Sequence, residues 1–345
     1  MKKMRTTFTC LIHFLSLSGI ALLLVSCQQP ANKQKPSGSA VTHEAVPEKK
    51  SDHPVVSDSN TRNVTNTQNT RMINVLDQKP DGTPGPFSPV NMNPDQKKAR
   101  EFVISGSKKA KDGDQIGAIE DFTQSLNLFK NPMTYLKRGS SELLKQDYRS
   151  ALNDMNEALK MNPNLNKAYL GRGICRYELK DFKTAEEDFK AYTDKDKNTP
   201  MAYNYIAGCR FMQNDFKGAL ENYEMVAKLD SSYPDVYTNR GMMKHYLKDL
   251  KGAVEDYNKA LSVNPENVTA YNNRGGARLI QGDPRGALED FNKAIALKDD
   301  YADAYVNRGK AKFKLDDKTG ACEDWRKAYS LGVEDAGELI YENCK

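Results

Sequence analysis

The chain has 345 residues, a net charge of +5 and six cysteines; 38% of its residues are hydrophobic and 28% charged. At roughly 150 residues per domain this is room for about two globular domains or one array. The near balance of charge excludes a dedicated nucleic-acid binder, which needs a clustered basic excess. The hydrophobic share lies below the usual range, so part of the chain is expected not to pack. Only four histidines are present, which argues against a histidine-based metal or catalytic centre.

Lys2, Lys3 and Arg5 form a positive start, and residues 11–25 an apolar run that ends in Leu24-Val25-Ser26-Cys27. Such a run is a secretory signal and is short for a membrane span. Charge, apolar run and Leu-x-Ser-Cys, in that order, resemble the lipobox of bacterial lipoproteins. The resemblance implies a signal peptide over 1–26, cleavage before Cys27 and a lipid on its sulfur. Gln28 follows the cysteine in place of Asp. By the sorting rule of that family this favours the outer membrane, facing the periplasm. From Gln28 to about Met92, Pro, Ser, Thr, Asn, Gln and Lys dominate. A stretch of that composition cannot offset its ordering entropy, so 27–96 is read as the lipidated cysteine and a disordered linker. Residues 71–76 and 86–92 are slightly more apolar; the plainer reading of both is linker, the other a docking motif.

The remainder matches itself when shifted by 34 residues. Tyr135-Leu-Lys-Arg138-Gly139 returns at Tyr169, Tyr237, Tyr271 and Tyr305, each followed by Arg and Gly at the same offsets. Later in each unit comes Ala-x-x-Asp-aromatic, as at Ala185 to Phe189, Ala253 to Tyr257, Ala287 to Phe291 and Ala321 to Trp325. Seven units start near residues 99, 132, 166, 200, 234, 268 and 302. The period and its aromatic, Gly, Ala, aromatic, Ala and Pro landmarks resemble the tetratricopeptide repeat (TPR). The resemblance implies an all-α fold: a TPR superhelical solenoid of about seven helix pairs over 97–335, behind the disordered tether.

Elementary chemistry leads to the same pairs. Apolar residues three or four apart mark two amphipathic helices per unit. An Asp precedes every second helix, at 114, 147, 181, 215, 249, 283 and 317, where its carboxylate can cap first-turn N–H groups. The recurrent glycine inside the first helix costs up to about 1 kcal/mol against Ala, so it is expected at a close helix contact. Because one pair cannot bury its apolar face, the units must stack and the last needs a lid. Ala336, Leu339, Ile340 and Cys344 form an apolar stripe, read as a capping helix within 334–345. Five units carry Arg before the glycine and Asp sixteen residues on: 138/154, 172/188, 240/256, 274/290 and 308/324. The fourth unit replaces both, with Ile206 and Asn222, and this paired loss predicts a paired contact.

His245 is the one histidine of the array, and the glycine-rich stretches lie inside helices, so no catalytic constellation is found. Cys175 and Cys209 hold equivalent places in adjacent units, roughly 9–10 Å apart by helix spacing. That exceeds the roughly 7 Å a disulfide tolerates. Cys322 and Cys344, on the last repeat helix and the lid, could close a disulfide in an oxidising periplasm.

TPR arrays are usually adaptors whose first helices line a concave groove. By that resemblance the candidate groove residues are Asn204, Tyr205, Met212, Asn239, Met242, His245, Tyr246, Asn272, Asn273 and Asn307. Stacking is expected to align the amides of Asn239, Asn273 and Asn307, each able to donate to and accept from a peptide backbone. Met and Tyr beside them offer adaptable apolar contact. Asp235, Thr269 and Asp303 stand where TPR domains that clamp a carboxylate need cations, so an extended, largely uncharged segment is the expected ligand. The expected function is a non-enzymatic, lipid-anchored adaptor binding a protein segment in the cell envelope. The alternatives are a structural subunit acting through the convex face or tether, and a regulator recruiting a cell-wall enzyme. No cofactor, metal, nucleic acid or small-molecule substrate is expected.

Overall fold

The computed structural model describes residues 92–344 apart from 234; the signal, Cys27, the linker before Met92 and Pro234 lie outside them. The described residues form fifteen helices, seven consecutive antiparallel pairs and one closing helix, a TPR solenoid. The pairs are α1 Pro94–Lys111 with α2 Gln115–Leu128, α3 Pro132–Leu144 with α4 Tyr148–Met161, and α5 Asn166–Glu178 with α6 Phe182–Lys195. Then come α7 Pro200–Met212 with α8 Phe216–Leu229, α9 Val236–Tyr246 with α10 Leu250–Val263, and α11 Val268–Ile280 with α12 Pro284–Leu297. The seventh pair is α13 Ala302–Lys314 with α14 Lys318–Ser330, and α15 Ala336–Asn343 covers its open side. The first helix begins ahead of residue 97 because Asn93 and Gln96 exchange a reciprocal capping pair around Pro94.

One Asp both ends and begins a helix in every unit. The N–H of Asp181 returns to the Arg176 carbonyl at 2.8 Å, closing α5, while its carboxylate accepts from the Thr184 N–H and opens α6. Asp114, Asp147, Asp215, Asp249, Asp283 and Asp317 do the same. This six-to-one closure forces the residue before the Asp into the left-handed region. Gly113 and Gly282 occupy that place in two units; Gln146, Lys180, Asn214, Lys248 and Asp316 hold it elsewhere with φ between 62° and 68°. The recurrent glycine inside each first helix has a packing reason. A Cβ on Gly275 would come within 2.7 Å of the Phe291 ring, and one on Gly173 within 2.8 Å of Phe189.

The Arg and Asp sixteen residues apart pair in all five units that carry them. Nε and Nη2 of Arg138, Arg172, Arg274 and Arg308 donate to both carboxylate oxygens at 2.6–3.1 Å. Arg240 grips Asp256 in the same way. Each of these Asp residues is buried, and each Arg lies over the Tyr three residues earlier, 5.2–5.8 Å from the ring centroid. The remaining Nη1 reaches back to the preceding unit: Arg138 to Thr123, Arg172 to Asn156, Arg274 to Asn258 and Arg308 to Asn292. A second cation, four residues after the Arg position, completes the site. Lys109, Arg176, Lys244, Arg278 and Lys312 touch Asp121, Asp188, Asp256, Asp290 and Asp324 at 2.7–2.9 Å. The first unit therefore keeps Asp121 without an Arg, because Lys109 neutralises it. The fourth unit, with Ile206 and Asn222, turns Arg210 back onto Glu186 of the third at 3.0 Å.

The second unit departs from the cation column. Glu142 stands where the others place Lys or Arg; it is 9% exposed, its Oε1 is 4.0 Å from Arg138 Nε, and its Oε2 has no hydrogen-bond partner among the described residues. Burial, and then the charge of Asp154, push its carboxyl from an ordinary 4.5 up to about 8.

At the C-terminal end Cys322 and Cys344 are joined by a disulfide, with Cα atoms 5.7 Å apart, tying α14 to the residue that follows α15. Cys175 and Cys209 are buried thiols, and burial pushes Cys209 up to about 12.

Removing Asp290 leaves two cations without their partner. Asp290→Ala should cost about 3–5 kcal/mol. Repeat arrays transmit stability to neighbours only, so the loss should appear as faster amide exchange in α11 and α12 with little change in α3 to α6. Glu142 yields a pH-dependent expectation. Its raised folded pKa means that its contribution is present below about pH 4.5 and is lost as pH rises through about 8. Glu142→Gln should flatten that fall and raise stability near pH 8 by about 1–3 kcal/mol. Melting curves between about pH 5 and 9 check this; an unchanged pH slope would refute it.

Candidate partner-binding groove

First helices of neighbouring units touch each other along α1–α3, α3–α5, α5–α7, α9–α11 and α11–α13, whereas second helices do not approach to the same extent. The first helices therefore line the inner, concave side. Contact thins between α7 and α9, which meet less closely than the other first-helix neighbours.

Several candidate residues flank that thinner joint. On α7, Met212 is 49% exposed, and Phe211 is half-buried. On α9, Asn239, Met242 and Tyr246 are half-buried. The Tyr246 ring stacks on Phe216 at 4.5 Å, and Phe211 leans on both. Asn204 is 8% exposed, and its Oδ1 has no hydrogen-bond partner among the described residues. An acceptor in that state costs free energy until an N–H reaches it.

The structure puts other candidates elsewhere. Tyr205 is buried, stacked on Phe189 at 4.9 Å and edge-on to Tyr177 at 5.3 Å, so it belongs to the core between the third and fourth units. His245 is likewise buried. The asparagines of the sixth and seventh units bond to one another: Asn307 Nδ2 donates to Asn272 Oδ1 at 3.0 Å, and Asn272 Nδ2 faces Asn273 Oδ1 at 3.5 Å. They join α11 to α13 instead of presenting a free row of amides. Helix register separates the two groups. The fifth and sixth positions of each unit face the neighbouring unit, while the thirteenth, held by Glu178, Met212, Tyr246 and Ile280, is half-buried or exposed. Ile280, 50% exposed, holds the same repeat position as the candidates Met212 and Tyr246 but is not itself among the candidates.

The first helices of units three to seven carry charges of both signs, with Lys310 exposed. Burial raises the carboxyls of Glu178, Asp235 and Asp303 above the usual range, opposed respectively by the Lys180 charge, an Asn267 hydrogen bond and the Lys298 charge. Asp235 Oδ1 accepts from Asn267 Nδ2 at 3.0 Å. Glu178 makes no ion pair among the described residues.

Tetratricopeptide repeat models match residues 136–200 and 234–267, and a TPR repeat model matches 277–316. The chain thus carries TPR repeats. It is similar to a tetratricopeptide repeat protein 36 homolog of Nematostella vectensis, 35% identical over 69 residues. That match spans 20% of this chain and 38% of the length of the curated relative. Among solved structures, a tetratricopeptide repeat protein from Parabacteroides merdae has a TM-score of 0.55 at 18% identity, covering 72% of this chain and 100% of that one. The C-terminal part of a TPR repeat-containing protein from Cytophaga hutchinsonii has a TM-score of 0.56 at 18% identity, covering 69% and 98%. These likenesses are of fold. Concave binding surfaces are how such solenoids act as interaction scaffolds.

Proposed function

We propose that the chain is a lipid-anchored adaptor of a bacterial cell envelope, holding an extended protein segment in its concave groove. The observation that carries the reading is that α7 and α9 carry an unpartnered Asn204 oxygen, an exposed Met212 and half-buried Met242 and Asn239. Apolar side chains around a few polar groups are what peptide grooves are made of. Anchoring through Cys27, outer-membrane residence and a periplasmic face rest on the Leu24-Val25-Ser26-Cys27 motif and Gln28. The Cys322–Cys344 disulfide supports an oxidising compartment. A second reading, action through another face, draws on Met161 and Val263, exposed at the ends of second helices.

Met212→Asp with Asn239→Ala changes the groove surface without touching the Arg–Asp contacts. This variant should keep its helical signal and lose roughly tenfold or more in affinity for its envelope partner, about 1.4 kcal/mol. Undiminished recovery of the same partner on cross-linking would move the interaction to another face. Cys27→Ala should release the protein from membranes, since acyl chains contribute about 0.8 kcal/mol per buried CH₂. Unchanged fractionation and unchanged fatty-acid labelling would rule the anchor out.

A further inference from the structure

The array closes with a helix that is fastened more than it is packed. α15 has eight residues, and isolated helices shorter than about 12–15 residues are marginal in water. Among the described residues no side chain caps it at Asp335. Ala336 is buried, but Val333, Leu339, Ile340 and Cys344, which also pack on the seventh unit, are only half-buried. The surface beneath them is apolar: Val306, Ala321, Trp325 and Ala328 are buried there, with the Phe313 ring 5.7 Å from Trp325. At its near end α15 hangs on the turn 331–335, where Gly332 has φ 98° and the Val333 N–H returns to the Ala328 carbonyl at 3.1 Å. At its far end the hold is covalent, since Cys344 follows α15 directly and is bonded to Cys322 of α14.

Cys322 is buried and Cys344 half-buried, so an attacking thiolate meets the Cys344 sulfur. When a dithiol reductant attacks there, the disulfide breaks and Cys322 leaves as a thiolate, which takes a proton. The second thiol of the reductant then displaces Cys344, which is protonated in turn. Two electrons have passed to the protein, the reductant departs as its own disulfide, and α15 is left on its turn. The opposite end of the array offers the exposed face no seat. Glu101 and Lys108 are exposed around Ile104, at repeat positions where the later units bury Ala168 and Cys175, Ala202 and Cys209, or Ala270 and Ala277. Burying those charges unpaired under a second copy's seventh unit would be costly. What fits the face is α15, and a second copy brings an identical one.

We propose that the Cys322–Cys344 bond is a latch, and that the face it keeps covered is a docking surface for the α15 of a second copy of this chain. Reduction frees the lid, two chains exchange lids, and a disulfide oxidant then takes the two electrons back and joins Cys322 of each chain to Cys344 of the other. Val333, Ala336, Leu339 and Ile340 make the same contacts after exchange as before it, on the Val306, Trp325 and Ala328 face. The five residues of the turn reach about 18 Å when extended, enough to carry a helix about 12 Å long off its own seat. Reciprocal exchange closes on itself with two-fold symmetry, so it stops at a dimer. The groove and the lipid anchor play no part in it.

The test mixes equal amounts of full-length protein carrying light and heavy isotopes, reduces the mixture with dithiothreitol and reoxidises it with oxidised glutathione. Peptide mapping without reduction then reads each Cys322–Cys344 pair. Protein that was never reduced should give pairs of a single isotope. After the cycle, mixed pairs should appear, and tenfold dilution during reoxidation should lower their share roughly tenfold, because closure within one chain does not depend on concentration. On reduction, amide exchange in 336–343 should quicken roughly tenfold or more while α3 to α6 stay unchanged. A complete lack of mixed pairs at high concentration overturns the exchange. Mixed Cys322–Cys322 and Cys344–Cys344 pairs as abundant as mixed Cys322–Cys344 pairs overturn it too, since they mark random oxidation without a seated helix. Amide exchange in 336–343 that ignores reduction overturns the latch.

Discussion

A carboxylate buried between two helices has to be neutralised, and this array solves that problem in six of its seven units. Asp121, Asp154, Asp188, Asp256, Asp290 and Asp324 all lie in the core, and each meets a Lys or Arg from the first helix of its own unit. The geometry of the pair sets the rotation of one helix on the other, because a planar fork accepts its carboxylate from few directions. It also sets the stacking. The Arg nitrogen left over reaches an Asn or Thr two residues beyond the preceding Asp position. One side chain thus ties helix to helix and unit to unit, and the apolar stripes pack around that frame.

The junction residue has a similar double role. Asp181 and its equivalents close one helix through the backbone and open the next through the side chain, so a unit needs very little loop. The cost is a left-handed backbone on the residue before, accepted at Lys180 and Lys248 without the glycine that would relieve it. Glycine is kept instead where a side chain has no room, under the Phe189 or Phe291 ring. The array places its permissive residue by contact distance more than by backbone conformation.

Much of this was legible in the sequence, because the interactions that hold a unit together recur with the unit. The period of 34, the Asp before each second helix and the Arg–Asp spacing all lie within one unit and are read off by comparing it with its neighbours. The second cation recurs at the same period, as Arg176, Lys244, Arg278 and Lys312, but at four residues from the Arg it is indistinguishable in sequence from an ordinary solvated helix face. The groove was less legible, since exposure there depends on the next unit. Asn272 and Asn307 find each other only once α11 and α13 are stacked. Tyr205 and Met212 lie on one helix, seven residues apart, yet one is sealed against Phe189 and the other is open. No property of either residue type distinguishes the two outcomes before the neighbouring helices are in place.

The fourth unit has neither Arg nor Asp; Ile206 and Asn222 stand in their places, and Arg210 is turned toward the unit before it. Its first helix also meets that of the fifth unit less closely than the other neighbours meet. That joint is filled by rings: Phe211 of α7 leans on Tyr246 of α9 at 5.7 Å, and both meet Phe216 of α8. In mechanical terms one turn of the coil rests on an aromatic wedge, so the spacing of Met212 and Asn239 is set by how those rings pack and not by backbone touching backbone.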